Sequence, residues 1–372
     1  MRTVCENDQC AGCHACISAC AKNAIRIEDT IKAYNAVIDE TLCINCGRCE
    51  NVCPVNHPTN KTEPIRWEQG WARDESIRQS SSSGGLAAAI QYGFVKSGGI
   101  VCSCLFENGK FIFDLACTEE EIKKFSGSKY VKSNPGKIYA KITELLKEGK
   151  KVLFVGLPCQ CAAARNYTKD HELLYTVDLI CHGSPSPTIL EMFLKEKGYR
   201  IETMGDVTFR KKTNFHLSDE KKSIAPPTVR DRYTMAFLNA LCYTENCYSC
   251  QHAEKARVSD ITLGDSWGST LEEKEQRKGI SLVLCQTQKG EELLAASNIH
   301  LESVDVERAI ANNRQLNHPS TKPEERTLFF ATLQKKKNFN KAVKKCYPKT
   351  CFRQSIKAFL INAKLRRVDK NN

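Results

Sequence analysis

The feature that most constrains this chain is a cysteine run that occurs twice in its first sixty residues. The first copy is Cys10-x-x-Cys13-x-x-Cys16-x-x-x-Cys20, and the second is Cys43-x-x-Cys46-x-x-Cys49-x-x-x-Cys53-Pro54. A cuboidal iron–sulfur cluster needs four thiolates in a tetrahedral array. Three closely spaced cysteines wrap one cluster, and the fourth, on the helix that follows, reaches the other. The spacing therefore predicts two 4Fe–4S clusters with exchanged fourth ligands. One set is Cys10, Cys13, Cys16 and Cys53; the other is Cys43, Cys46, Cys49 and Cys20. Small residues at Ala11, Gly12, Ala15 and Gly47 let backbone amides approach the sulfides. Paired zinc sites also use Cys-x-x-Cys, but zinc does not call for third and fourth cysteines at these offsets twice over. Ala21 stands where a proline usually follows the fourth cysteine; that proline orients a turn and is no ligand. Cys5 is spare to both sets.

The N-terminus shows no apolar h-region of a secretion signal, and no run of about 18 apolar residues could span a bilayer. Twenty-one cysteines in 372 residues then read as metal ligands in a reducing cytoplasm, not as a disulfide framework. The formal charge of +12 would hint at nucleic acid if it lined a cleft. Residues 335–372 hold ten lysines and three arginines against one acid, Asp369, which accounts for the whole excess. The body is neutral and has no interleaved aromatic–basic pattern, which argues against nucleic-acid binding.

Composition divides the chain into four parts. Residues 1–58 form an α+β, two-cluster ferredoxin-like domain. Residues 59–70 are polar and proline-containing, as in a linker. Residues 71–334 alternate strand and helix signals, which predicts an α/β domain with a mixed sheet and flanking helices. Strands are expected at 100–106, 151–155, 173–180 and 281–286, and helices at 85–96, 137–148 and 188–197. Residues 335–372 form a basic helical tail.

Three stretches of the body carry chemistry. Ser80-Ser-Ser-Ser-Gly-Gly85 opens an apolar helix, and helix N-termini attract anions; a serine-rich cap is the plain alternative. Val155-Gly-Leu-Pro-Cys159 and Leu179-Ile-Cys181-His-Gly-Ser-Pro185 each run from an apolar strand into a cysteine-bearing turn, the place where open α/β sheets bind ligands. Cys247-Tyr-Ser-Cys250 adds a close pair. Cys159, Cys181, Cys247 and Cys250 are enough for a third cluster, with Cys161 and Cys242 as competing candidates. Cys102, Cys104, Cys117 and Cys285 lie in strand-like runs and read as small buried hydrophobes. His182 reads as a ligand or neighbour of a redox site, and His14 and His57 as solvated or packed. Asp260-Ile-Thr-Leu-Gly-Asp265-Ser-Trp267-Gly268 could wall the same site or form a buried turn.

In order, the ferredoxin runs, SSSGG, GSKYV (127–131), VLFVGLPCQ, DLICHGSPSP, VTFR (207–210), CYSC and DITLGDSWG resemble the coenzyme F420 hydrogenase/dehydrogenase beta-subunit family over residues 1–270. The resemblance implies a flavin-binding body carrying FAD beside a cluster. Ser83, Gly84 and Gly85 would lie near the flavin phosphates and Lys129 near the flavin. It also supports Cys159, Cys181, Cys247 and Cys250 as the cluster set. Phe215 stands near the place of a family tryptophan, which leaves the substrate open.

The main expectation is an oxidoreductase coupling one-electron transfer through clusters to hydride exchange at FAD with a small-molecule donor or acceptor. The alternative is an electron-transfer subunit docked on a catalytic partner such as a hydrogenase or formate dehydrogenase, without its own substrate. The redox partner is a ferredoxin or such a catalytic subunit. In the tail, Ile356, Phe359, Leu360 and Ala363 make one helical stripe, which Arg353, Lys357, Lys364 and Arg367 can flank. Such a helix either lies on the anionic inner face of a membrane, docks on an acidic partner, or packs its stripe back on the body.

Overall fold

The computed structural model describes residues 2–219, 222–226 and 228–365. Its N-terminal part is built on an antiparallel hairpin, β1 (Ile25–Asp29) and β2 (Tyr34–Ile38). The alternation of apolar and polar residues in β1 fits a strand with one covered face. Two short helices, Ala15–Ala19 and Arg48–Asn51, each carry the third cysteine of a run, Cys16 and Cys49. Val4, Ile25, Ala36 and Ile38 pack with the cysteines themselves into one small core.

The body is an eight-stranded sheet with the order β13-β3-β12-β11-β7-β6-β4-β5. Its strands in chain order are β3 (Arg66–Ala72), β4 (Ile100–Glu107), β5 (Lys110–Ala116), β6 (Val152–Val155) and β7 (Leu174–Leu179). Beyond a small antiparallel sheet of β8 (Val207–Lys211), β9 (Asn214–Asp219) and β10 (Lys222–Ser223) come β11 (Ile261–Asp265), β12 (Ser281–Cys285) and β13 (Ile299–Ser303). The four central strands, β4, β6, β7 and β11, run parallel, and antiparallel strands close both sides. Every residue of β6 is buried, as a short continuous apolar run requires when helices cover both faces. The helix Leu86–Lys96 packs in one core layer, and the helices Ile138–Lys147 and Pro158–Thr168 in the other. The mixed α/β architecture is as the sequence predicts, and so are the seven elements expected from it, to within two residues at each end.

Three expectations need correction. The stretch taken as linker already contains β3 from Arg66, paired between β12 and β13. Its inward positions hold Gln69, which donates to Ser303 O at 3.0 Å, and Gly70, where a Cβ would meet His300 O at 2.0 Å. Neither residue type signals a strand. Cys117 is exposed, because β5 ends at Ala116 and the chain turns into the capped helix Glu119–Ile122. Residues 335–372 are not one separate tail. Phe339, Ala342 and Val343 are fully buried in the core shared with Phe193 and Tyr233. Beyond them, the helix Pro348–Asn362 buries only Cys351. Ile356 and Phe359 are 43% and 67% exposed, so the stripe does not pack back on the body. Arg367 lies outside the described residues.

The N-terminal part is fastened to the body by polar contacts from the helices beneath it. Tyr139 Oη donates to Cys13 O at 2.9 Å, Ser18 Oγ to Gly136 O at 3.0 Å and Tyr167 Oη to Ser18 O at 3.1 Å. Within the body, one buried ion pair ties the sheet to the Cys-x-x-Cys segment. Arg257 Nη2 meets Asp178 Oδ1 of β7 at 3.0 Å, and both side chains are almost wholly buried. The same guanidinium donates to His252 O at 2.6 Å and Leu179 O at 3.1 Å. Removing one partner of such a pair leaves a buried charge unmatched. Arg257→Met is therefore expected to destabilise the protein by ~3–5 kcal/mol, seen as a lower thermal midpoint by circular dichroism. Adding Asp178→Leu should recover much of the loss. An unchanged midpoint in the single variant would show that the pair is structurally neutral.

Candidate cluster sites and the body pocket

The two cysteine runs wind the same way. Counting from the first cysteine of each, the second following residue has positive φ (Gly12, +71°; Asn45, +54°), and so has the fourth (His14, +62°; Gly47, +69°). Left-handed residues at these steps turn the chain around a centre, and glycine or asparagine adopts them at least cost. His14 adopts one although it is not glycine; its ring is buried, and burial lowers its pKa to about 4. His57 is exposed.

The structure brings together the first exchanged set and the Cys20–Cys49 part of the second. Cys13 lies within electrostatic reach of Cys16, Cys10 and Cys53, and Cys49 within reach of Cys20. Cys10, Cys13, Cys16 and Cys53 line one enclosed cavity and are all buried. Cys20, Cys43 and Cys49 are half-buried and Cys46 is exposed, so this second set faces solvent. Backbone amides point at the sulfurs: Ala24 N donates to Cys20 Sγ at 3.3 Å and Asn45 N to Cys43 Sγ at 3.4 Å. Gly12 and Asn56 amides do the same for Cys10 and Cys53. Amides aimed at sulfur favour the thiolate form, which is the form a metal binds.

A third thiol group lies beyond the carboxyl ends of β6 and β7. Cys159 sits at the start of the helix Pro158–Thr168, and Cys181 two residues after β7. The loop after Cys181 is stitched to the segment carrying Cys247. Pro185 and Tyr243 form a bridge, and Thr244 N donates to Ser184 O at 3.1 Å. Cys159, Cys181, Cys247 and Cys250 then line a cavity of about 140 Å³. Pockets that bury organic ligands run to ~300–1,000 Å³, so this one suits a compact inorganic group. The competing cysteines do not reach it. Cys161 is fully buried and turned to Val177 O, and Cys242 is fully buried in another core.

Two residues at this cavity escaped the sequence reading. His252 is buried on its wall, and its Nδ1 has no hydrogen-bond partner among the described residues; a group held by these thiols would give that orphaned atom a partner. Lys132, also buried, donates to Ala11 O at 2.9 Å. Its charge favours the thiolates of Cys10 on one side and of Cys159 and Cys250 on the other. Only its position in GSKYVK, three residues past Lys129, pointed to it. Ala11 and Pro54, chain neighbours of Cys10 and Cys53, also line the body cavity, so the inner N-terminal set and the body set share a wall. No three His, Cys, Asp or Glu side chains among the described residues close around a single ion; the thiols line cavities.

The residues expected to meet a flavin have protein partners. Gly84 O accepts from Ala72 N at 2.8 Å and Gly84 N donates to Ser281 Oγ at 3.1 Å. A Cβ on Gly84 would come within 2.5 Å of Gly70 O, so contact with β3 and β12 alone requires glycine there. Ser83 Oγ donates to Ile280 O, and Lys129 Nζ to Phe125 O and Ser126 O. Gly85, at φ +86°, caps the helix Leu86–Lys96. These positions do not by themselves form a cradle for a dinucleotide. Next to them, Arg210 pairs with Asp265 through both nitrogens at 2.5 and 2.7 Å and lies over the rings of Phe215 and Trp267.

Residues 149–308 match the family model for the C-terminal part of the beta subunit of coenzyme F420 hydrogenase/dehydrogenase, and residues 9–57 match the 4Fe–4S dicluster domain. The body is thus similar, over residues 149–308, to the C-terminal part of that beta subunit. Ahead of it, the eight cysteines of the two runs all fall inside the dicluster match. One subunit of the F(420)H(2) dehydrogenase of Methanosarcina mazei is 25% identical over 194 residues, covering 49% of this chain and 55% of that protein. An uncharacterized protein of Methanocaldococcus jannaschii is 25% identical over 205 residues, covering 45% and 56%. The chain thus spans about half the length of the curated relatives it matches. A chain of the F420-reducing NiFe hydrogenase complex of Methanosarcina barkeri superimposes with a TM-score of 0.47 at 18% identity, over 70% of this chain and 97% of that one.

Lys132 offers a direct test of the shared wall. Replacing it with methionine removes a buried positive charge from beside two sets of thiolates. If these sets hold clusters, both the inner N-terminal potential and the body potential are expected to fall, by about 60 mV, the one-electron equivalent of ~1.4 kcal/mol of lost charge interaction. The outer set should keep its potential. Redox titration followed by EPR checks this; a shift confined to the outer set would contradict it.

Proposed function

We propose that this chain is an iron–sulfur electron-transfer subunit of a larger redox assembly, passing single electrons between its surface and its body. The observation that carries the reading is the file of three thiol sets. Cys46 and its partners face solvent, Cys10 and its partners are buried behind them, and the body set shares a wall with the inner one. In this reading Cys43, Cys46, Cys49 and Cys20 hold the outer 4Fe–4S cluster, and Cys10, Cys13, Cys16 and Cys53 the inner one. Cys159, Cys181, Cys247 and Cys250 hold a third. Such clusters supply one-electron chemistry with little change in shape. The chain's own residues do the rest: amides hold the thiolates, Lys132 offsets charge at two sets, and burial keeps water from the inner sites. The partner is a catalytic subunit, as the hydrogenase and dehydrogenase names of the relatives suggest, or a ferredoxin.

A second reading keeps hydride exchange at FAD. It is favoured by the family resemblance and by Arg210, which lies over the rings of Phe215 and Trp267 beside the end of β11, a surface that a planar ring could join. Denatured protein should then release FAD. If no flavin is released, even after reconstitution, electron transfer alone remains.

Anaerobically purified protein is expected to carry about twelve irons and twelve sulfides, three clusters of four. Cys247→Ala, Cys250→Ala, Cys159→Ala or Cys181→Ala should each lower iron by about four per chain and leave the N-terminal EPR signals in place. Full iron in these variants would remove the body cluster from the reading; stoichiometric zinc without labile sulfide would remove all three.

The exposed Ile356 and Phe359, with Arg353, Lys349 and Lys364 nearby in sequence, also support peripheral contact with an anionic membrane face. The protein should float with anionic vesicles at low salt and be released by high salt. Flotation unchanged by Ile356→Ser/Phe359→Ser would rule out this helix as the contact.

A further inference from the structure

Cys5 is spare by spacing but not by position. Residues 2–4 run beside β2: Ile38 N donates to Arg2 O and Val4 N to Ala36 O, each at 2.9 Å. Thr3 Oγ1 donates to Cys5 O at 2.7 Å, and Asn56 Nδ2 donates to Val4 O at 2.7 Å. The segment is therefore pinned from β2 and from the stretch just after Cys53. These ties carry Cys5 into the cavity lined by Cys10, Cys13, Cys16 and Cys53. Its side chain is buried, 7% exposed, and its thiol lies within electrostatic reach of the thiols of Cys10 and Cys53. It forms no disulfide. A cysteine kept only for packing would face apolar atoms alone; this one lines the cavity of four sulfurs assigned to a metal. A cuboidal cluster takes four protein thiolates, and five sulfurs face this cavity.

We propose that Cys5 is an exchangeable fifth ligand of the inner cluster, able to take the place of Cys10 or Cys53. The inference rests on the reading that this set holds a cluster. In the exchange, the Cys5 sulfur forms a bond to iron as the Cys10 or Cys53 sulfur–iron bond breaks. The proton of Cys5 passes to the departing thiolate. Iron count, net charge and oxidation state are unchanged, so no external reductant or oxidant is needed. The exchange is restricted to the two sulfurs within reach of Cys5. Cys13 and Cys16 lie elsewhere on the cavity wall and are not replaced.

The test uses the full-length chain, purified anaerobically, with alanine rather than serine so that no oxygen can substitute as ligand. Iron, sulfide and reduced-state EPR are measured for Cys10→Ala, Cys53→Ala, Cys13→Ala and Cys16→Ala, each with and without Cys5→Ala. Cys10→Ala and Cys53→Ala alone should keep wild-type iron with an altered inner-cluster EPR signal. Combined with Cys5→Ala, each should lose about four irons while the outer signal persists. Cys13→Ala and Cys16→Ala should lose about four irons whether or not Cys5 is present. If Cys10→Ala and Cys53→Ala lose iron with Cys5 intact, the proposal is overturned, and loss of both N-terminal clusters counts the same way. Failure of the underlying reading looks different: the wild-type protein itself would then lack the inner cluster's iron and labile sulfide.

Discussion

The structure depends on one constraint: sulfur ligands must face inward around a compact centre, and the backbone must bend to let them. Both cysteine runs meet it with the same pair of left-handed residues, at the second and fourth steps after the first cysteine. The residue types are interchanged between the copies. Glycine takes the second step in one run and the fourth in the other, while Asn45 and His14 fill the remaining two. Shared conformation with exchanged residue types shows that the centre, not the local propensity, dictates the winding. In this region cysteines also replace much of the apolar core, so a metal group and the fold support each other.

Burial and charge oppose one another at these sites. Burial pushes the thiols of Cys13, Cys16, Cys159 and Cys181 upward, and neighbouring cysteines add to the effect. Left alone, such thiols stay protonated. Metal binding must then release protons, which couples occupancy to pH. Lys132 works in the opposite sense on both sides of the wall. One buried ammonium serving two sites is economical, because each buried charge costs several kcal/mol in desolvation unless it is matched.

Much of this was legible in the sequence because it rested on strong local signals. Fixed cysteine offsets defined the N-terminal sets, and apolar runs bounded by turn residues defined β6, β7 and β12. The body set was legible less directly, since Cys159, Cys181 and the Cys247–Cys250 pair meet only through the sheet and the Ser184–Thr244 stitch. What the sequence hid were residues whose role comes from distant neighbours. β3 is disguised by Gln69 and Gly70, whose partners lie far along the chain in β12 and β13. Lys132 and His252 carry no spacing signature. The helix Phe339–Cys346 was masked by its lysines, although Phe339, Ala342 and Val343 follow helical spacing.

The pair of glycines at 84 and 85 shows how one motif can serve two readings. Glycine after a serine run suggests a phosphate cradle, because both need a backbone without side chains. The contacts separate the cases. Gly84 is pressed between β3 and β12, where a Cβ would strike backbone atoms, so strand packing suffices to explain it. The thiols past β6 and β7 instead face one shared cavity. Cys181 and Cys250 lie on segments joined through Arg257 and Asp178 to the same strand, which fixes them with respect to each other. Four sulfurs around a small cavity, beside an imidazole nitrogen without a partner among the described residues, are suited to a group that changes charge without changing shape. That is what one-electron transfer asks of a protein, and it is why the body pocket, rather than the glycine turn, anchors the functional reading.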